Sequence, residues 1–474
     1  MVTLYPDQSD MIERVVESLR KGHRSVLMQY PTGGGKSVMA TEIVRRALSK
    51  GNNVWFSVPR RELIRQMGQT FDDFGVRFGM MAAGHRYRPD RDAYICSTDT
   101  LKSRLRSFTP PKLAVIDETH FGGAGLDAII KYLKEGGTTI LGLSATPWRT
   151  DSKGLGCWYD DMVCGPSVGD LIKAGRLAQY KAFAPSHVDL KGIKITAGDY
   201  NKKQLSELME GNSYLVGEAV QQYKKFAQGL TAVTFCVSII HSQQMAEAFN
   251  NGGVPSAHMD GNTPEDERKR IAIALAKGEL LNVTCADLLC FGYDLKSASG
   301  MKDGRVIQAM IDRQPTKSLA KQMQKNGRFL RYDGTTHVLI DGANNIMEHG
   351  LPCDEREWSL ADREKGIVGK KGEKLLPVKE CDKCHYCHPP GPPQCPLCKH
   401  VYEVQSRTIE EVDGELAEVD ADEIAKKRQA MKARMAVGMS KSQSDLEAIA
   451  KQRGYAKEWV KIQCKIKKIQ YQAS

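Results

Sequence analysis

The chain has 474 residues, 41% of them hydrophobic and 26% charged, and a formal net charge of +11. That length exceeds one compact core and implies two or three domains. Residues 1–20 carry acids and polar groups throughout, and no apolar stretch approaches the ~20 residues that span a bilayer, so neither a signal peptide nor a membrane helix is expected and the protein reads as intracellular.

From residue 24 to 149 short apolar runs alternate with helical patterns. RSVLMQY (24–30) reads as a strand and PTGGGKS (31–37) as a glycine loop, with Val38, Thr41, Ile43, Val44, Ala47 and Leu48 recurring at helical spacing behind it. The alternation continues with a strand at 53–58, a helix around 62–67, strands at 93–98 and 112–118, a helix near 125–135 and a strand at 138–145. Apolar strands alternating with helices predict an α/β domain built on a parallel sheet covered on both faces. After a less regular stretch come strands at 231–239, 255–261, 281–289, 305–311 and 336–343, with helices at 265–278 and 318–330. This is a second α/β domain, and it has no glycine–lysine loop. Residues 351–380 are charged and aperiodic, which suits a linker.

The glycine run departs from the phosphate-loop pattern G-x-x-x-x-G-K-[ST] at one place, where Tyr30 replaces glycine. Its position between strand and helix still favours phosphate. Thr32, Gly33, Gly34 and Gly35 bring backbone N–H groups to a phosphate at a helix N-terminus, Lys36 adds a point charge and Ser37 a magnesium ligand. LAVIDETH (113–120) supplies the missing partner, an apolar strand that ends in two acids. Asp117 is placed to hold Mg²⁺ and Glu118 to polarise the attacking water.

PTGGGKS (31–37), VPRRELIRQ (58–66), STDTL (97–101), DETH (117–120), SATPWR (144–149), ADLLCFGYD (286–294) and QKNGRFLR (324–331) together resemble, in order, the motifs of superfamily 2 helicases of the DEAD/DEAH type. The likeness covers about Leu4 to Asp341 and is strongest to the branch of bacterial RadD and related phage helicases. It implies two tandem RecA-like domains, at 1–178 and 179–350, with ATP in the cleft between them. Many members replace the first glycine of the loop, so Tyr30 is no objection. By the same resemblance Gln8 reads adenine, Ser144 and Thr146 link hydrolysis to domain movement, Gln324 contacts the nucleotide or its water, and Asp294 belongs to the nucleotide site. Arg328 and Arg331, three residues apart near a helix end, become arginine fingers for the γ-phosphate. Arg60, Thr98 and Thr284, at or near strand ends, are candidate phosphate contacts for a nucleic acid. One departure stands out: relatives commonly carry an acid where this chain has Phe291.

Five of the thirteen cysteines fall within 18 residues. In CDKCHYCHPPGPPQCPLCKH (381–400) two C-x₂-C pairs are separated by ten residues, a spacing that suits a tetrahedral Zn²⁺ ribbon held by Cys381, Cys384, Cys395 and Cys398. Cys387, His385, His388 and His400 compete as ligands, and an iron–sulfur cluster competes as the cargo. Similar ribbons follow the motor in RadD-like proteins. Residues 401–423 form an acidic connector, with eight acids and no base between 410 and 423. Residues 424–474 form a basic helical module with 13 Lys/Arg against three acids, in which Tyr455 and Trp459 either pack or stack on bases.

The expectation is an ATP-dependent DNA helicase or translocase using ATP, Mg²⁺ and Zn²⁺ in repair, recombination or phage DNA metabolism. Single-stranded or branched DNA is the expected partner, joined by a replication or recombination protein, in the cytoplasm of a bacterial cell or a phage-infected host. The alternatives are an RNA helicase, the motor of a restriction complex, and a nucleic-acid-binding scaffold with a vestigial ATPase.

Overall fold

A computed structural model describes residues 3–59, 61–85, 87–149, 153–185, 188–196, 198–210, 213–286, 295–301, 303–362, 378–402, 442–453 and 457–467. The chain divides into two compact units, Met1–Tyr402 and Glu403–Ser474.

The first unit holds two parallel sheets. Strands β1 (Ser25–Gln29), β2 (Val54–Val58), β3 (Gly79–Met81), β4 (Ala93–Ser97), β5 (Leu113–Ile116), β6 (Thr139–Ser144) and β7 (Asp161–Cys164) form a seven-stranded sheet in the order β3-β4-β2-β5-β6-β1-β7. β1, β2, β4 and β5 are buried along their whole length, as strands covered by helices on both faces must be. Parallel pairing sets Gln29 beside Ser144 and Ser57 beside Ile116, so the glycine loop, the DETH acids and the S-A-T segment leave the same edge of the sheet.

The second sheet takes β8 (Tyr180–Phe183) from within the less regular stretch. A small hairpin, β9 (Ile195–Thr196) and β10 (Asp199–Tyr200), follows before β11 (Ala232–Cys236), β12 (Ser256–Met259), β13 (Asn282–Ala286), β14 (Ala309–Asp312) and β15 (His337–Asp341). The order is β12-β13-β11-β14-β15-β8, again all parallel. Two expected strands are shorter here. The run at 231–239 stops at Cys236, because the Ser238 hydroxyl accepts from His241 N and caps the helix Ile239–Asn251. The run at 305–311 joins the sheet only from Ala309; Val306 and Ile307 are buried ahead of it.

The cysteine segment opens with β16 (Lys379–Glu380), paired antiparallel with β17 (Cys387–His388). It lies against the edge of the second sheet through a bridge between Phe183 and Tyr386 and a bond from Ala184 N to His385 O of 3.1 Å. In the second unit the helices Gln443–Arg453 and Lys457–Lys467 pack through Leu446, Ala450, Val460 and Cys464, with Trp459 against them. Trp459 therefore packs; Tyr455 and the acidic run 410–423 lie outside the described residues. No helix among the described residues is long and apolar enough to cross a membrane.

Candidate active site

The phosphate loop leaves β1 and enters the helix Lys36–Leu48. Gly33 and Gly35 have φ of +85° and +101°, a region that strains any side chain. A Cβ on Gly35 would also lie 2.4 Å from Gln8 Nε2. Gln8 belongs to the helix Pro6–Arg20; its Nε2 donates to Gly34 O at 3.1 Å and its Oε1 accepts from Tyr5 N at 3.1 Å. The residue expected to read adenine thus also ties that helix to the loop.

Tyr30 explains the missing glycine. Its ring is fully buried and fills the space that a Cβ on Gly34 or Gly165 would need. Its hydroxyl donates to Asp7, whose other oxygen accepts from Arg176 at 2.6 Å. Burial and the Asp7 charge both push the Tyr30 phenol well above its ordinary value, so it stays a donor. Arg176 lies 3.3 Å from the centre of the Tyr5 ring and reaches Gly34 O at 3.4 Å. No local pattern signals this Tyr30–Asp7–Arg176 prop, because its members lie up to 169 residues apart.

Lys36 is buried, with Nζ 3.3 Å from Tyr30 O, and Ser37 is half-buried one residue further along the first turn. Asp117 leaves β5 with its N–H bonded to Ser57 O, and its Oδ1 accepts from Glu118 N at 2.9 Å. Burial, and then the Glu118 charge, push Asp117 up to about 7, while Lys36 pulls it down. Glu118 sits at φ +46°, a left-handed conformation that a non-glycine residue adopts at a cost of order 1–3 kcal/mol.

His120, which the sequence reading did not single out, joins the two domains. Its Nδ1 lies 2.9 Å from Ser144 Oγ, and its Nε2 lies 3.4 Å from the Gln324 amide nitrogen of the second domain. Ser144 Oγ donates to Thr146 O and accepts from Thr146 N at 3.0 Å. With its proton on Nδ1 the imidazole serves both neighbours while neutral. Burial lowers His120 to about 4 against the raising effect of Glu118.

The second domain contributes the helix Leu319–Phe329, whose N-terminus is capped by Ser318. Gln324 and Arg328 are buried on it. Gly327 is in close contact with the phosphate loop: a Cβ there would stand 2.2 Å from Thr32 Cγ2. Arg331 lies beyond the helix end, in a β-bridge with Leu177, so its relation to Arg328 is not the expected helical one. It reaches the site as part of a cleft of about 370 Å³ that Gln8, Gly33, Gly34, Gly35 and Arg176 also line.

Thr32 Oγ1, Glu118 Oε2, Thr146 Oγ1 and Gln324 Oε1 are buried without a hydrogen bond. Such atoms cost ~1–3 kcal/mol each and collect where a polar ligand completes them. The expected nucleic-acid contacts fare differently. Thr98 donates to Val58 O at 3.0 Å, and Thr284 is fully buried and donates to Ser242 O at 2.7 Å, so both hydroxyl protons are used inside the protein. Arg60, Asp294 and Phe291 lie outside the described residues.

In the cysteine segment the Sγ atoms of Cys381, Cys384, Cys395 and Cys398 all lie within 4.8 Å of one another, with Cys381–Cys398 at 3.6 Å and Cys384–Cys395 at 3.7 Å. Four thiolates at ~2.3 Å from a tetrahedral Zn²⁺ stand ~3.8 Å apart. The two knuckles repeat each other: His385 N bonds Cys381 O, Lys399 N bonds Cys395 O, and His385 and Lys399 have φ of +60° and +61°. The competing groups have other contacts, His385 with Glu380, His388 with Tyr402 and Cys387 with His385 O.

Two parallel sheets, one with a phosphate loop and paired acids, the other with a helix whose Gln324 reaches His120 and whose Gly327 meets Thr32, define the class: a superfamily 2 P-loop motor of RecA-like domains. The model of the family described as type III restriction enzyme, res subunit, matches residues 1–149. A 51.5 kDa protein of Lactococcus phage (isolate 7-9) is 31% identical over 358 residues, covering 75% of this chain and 73% of the phage protein. The chain belongs to this ResIII helicase family, and that membership implies an enzyme of helicase or translocase type working with ATP and Mg²⁺. A Saccharomyces cerevisiae protein provisionally named ATP-dependent helicase IRC3 is 27% identical, over 76% of this chain and 56% of its own length. Among solved structures, the ATP-dependent Type ISP restriction-modification enzyme LlaBIII bound to DNA shares the fold, with a TM-score of 0.51 and 13% identity over 72% of this chain and 27% of that one.

Proposed function

We propose that the protein couples ATP hydrolysis to movement on, or remodelling of, DNA, and that it serves repair, recombination or phage DNA metabolism. The observation that carries this is the meeting of the two domains at the phosphate loop and the DETH motif: Gln324 lies 3.4 Å from His120, Gly327 stands against Thr32, and Arg331 lines one cleft with Gly33, Gly34 and Gly35. A site divided between two domains makes catalysis depend on their closure, so hydrolysis is coupled to motion. In this reading Lys36 and the loop glycines bind the phosphates, Ser37 and Asp117 hold Mg²⁺, Glu118 orients the water, and Arg328 and Arg331 neutralise the developing charge. The DNA assignment is supported by the phage relative and by the DNA complex of the structural neighbour.

The four-cysteine cluster is proposed to hold structural Zn²⁺, in line with its sulfur spacing and its seat on the edge strand β8. The test of the motor is ATP turnover with no polynucleotide, single-stranded DNA, duplex DNA and RNA in parallel. Stimulation by DNA is expected; stimulation by RNA alone overturns the DNA assignment, and no stimulation by any of them overturns the motor.

A further inference from the structure

Two chain segments cross between the domains of the motor, and they cross side by side. The outgoing segment passes Gly169 and Leu177 to Tyr180; the return segment leaves the second sheet and passes Cys353. The Tyr180 hydroxyl accepts from Cys353 N at 3.2 Å and donates to Cys353 Sγ at 3.1 Å, and a Cβ on Gly169 would meet Cys353 O at 3.4 Å. Ala178 N donates to Leu330 O at 2.9 Å, which joins the outgoing segment to the end of the Gln324–Arg328 helix.

The return segment does not stop at the crossing. It continues over the first domain and engages Trp148, two residues after Thr146, together with Gly154 and Gly156. Trp148 Nε1 donates to Ala361 O at 3.0 Å, Gly156 N to Leu360 O at 2.9 Å and Gly154 N to Asp362 Oδ1 at 2.9 Å. The Trp148 and Trp358 rings stand 5.1 Å apart. Gly154 has no room for a side chain, since a Cβ would lie 2.1 Å from Leu360 O. Three directed bonds, a ring pair and a glycine fitted to a passing carbonyl make a built contact.

We propose that the return segment Leu351–Asp362 is a working part of the motor: beside Tyr180 it forms a two-stranded hinge, and its Trp358–Asp362 end clasps Trp148, Gly154 and Gly156, positioning the Ser144–Thr146 turn for coupled hydrolysis. Two adjacent crossings restrict domain motion more than one flexible link does, and the clasp carries that motion to the turn that holds His120. Trp148 and Trp358 are positioning residues, since neither belongs to the nucleotide site. The proposal rests on the motor reading above.

The test uses the full chain with Trp358→Ala, Trp358→Phe, Gly154→Ala and Asp362→Ala. DNA-stimulated kcat is expected to fall about tenfold in Trp358→Ala and Gly154→Ala, with unstimulated turnover and the KM for ATP within about twofold of wild type, and Trp358→Phe is expected to restore most of the rate. Full stimulation in Trp358→Ala with an unchanged Tm overturns the proposal, and so does an equal fall of stimulated and unstimulated rates. Should Trp358→Ala not fold, hydrogen exchange decides: the Gly154 and Gly156 amides are expected to be protected in wild type, and Gly154 to exchange faster in Asp362→Ala. Rapid exchange of both in wild type removes the clasp. Failure of the motor reading shows separately, as wild-type turnover that no polynucleotide stimulates.

Discussion

The two sheets share one architecture but treat the polar groups near their carboxyl ends in opposite ways. In the first, the groups stay short of partners: Lys36 has a single long bond, and Thr32, Glu118 and Thr146 each keep a buried oxygen without a hydrogen bond. In the second, Asp312 at the end of β14 accepts from Lys325 through both oxygens at 2.7 Å, from Gln322 at 3.2 Å and from Asn345 at 2.9 Å, and Lys325 and Asp312 are both fully buried. One end is arranged to be completed by a ligand. At the other the Asp312 carboxylate is satisfied within the protein, and its bonds to Gln322 and Lys325 hold the helix that presents Gln324 and Arg328. Buried polar groups thus serve binding in one domain and positioning in the other.

The contrast predicts which substitutions cost activity and which cost stability. Arg328→Ala is expected to lower DNA-stimulated kcat by ~10³ to 10⁵, the range of an arginine finger. Lys36→Ala is expected to lower it by roughly 10³. Lys36→Ala should leave the urea midpoint near that of wild type, because Lys36 is not part of a closed network. An unfolded Lys36→Ala chain would break the comparison. Lys325→Met is the converse. Losing one partner strands the Asp312 charge, and unfolding free energy is expected to fall by ~3–5 kcal/mol. A Lys325→Met protein of wild-type stability and low turnover would place Lys325 in the chemistry instead.

Those networks also mark how far the sequence could be read. The phosphate loop, the DETH acids and most strands were legible because each rests on a local pattern: an apolar run, a glycine turn, acids at a strand end. β3 has only three residues, and β7 and β8 lie in a stretch with no sustained period, yet β7 pairs with the phosphate-loop strand and β8 carries the cysteine ribbon. Residues 355–362 looked like a charged linker because their bonds go to Trp148, Gly154 and Gly156, a complementarity visible only in three dimensions. Likewise, Tyr30 departs from the glycine pattern, and only the fold shows its ring filling the space beside Gly34.

A smaller effect concerns His120, which bridges the two ends. Unfolded histidine protonates near 6.5, the folded site only near 4, so between those values the unfolded chain binds the extra proton. The stability this residue contributes is therefore fully present above about pH 6.5 and is lost as pH falls toward 4. Asp117 and Asp341, both raised by burial, act in the opposite sense over the same window and mask the trend in wild type alone. The difference between wild type and His120→Asn isolates it: the stability gap is expected to shift by about 2 kcal/mol against wild type between pH 7 and pH 5. Denaturant melts at the two pH values check this, and a gap independent of pH would mean that His120 is not held neutral.

The smallest expected effect probes the contact between the two ends. Gly327 lies inside a helix, where alanine is intrinsically favoured by about 1 kcal/mol, so helix propensity alone predicts a more stable Gly327→Ala protein. Its Cβ, however, would stand 2.2 Å from Thr32 Cγ2 and 2.4 Å from Thr32 Cβ, which forces the phosphate loop and the second domain apart. Because the displaced neighbour belongs to the nucleotide loop, the cost should fall on ligand binding rather than on either domain's core. The KM for ATP is expected to rise several-fold in Gly327→Ala with little change in Tm. A stabilised variant with unchanged KM would show that the domains need not approach this closely for ATP to bind, and that the two ends complete the site at a greater separation.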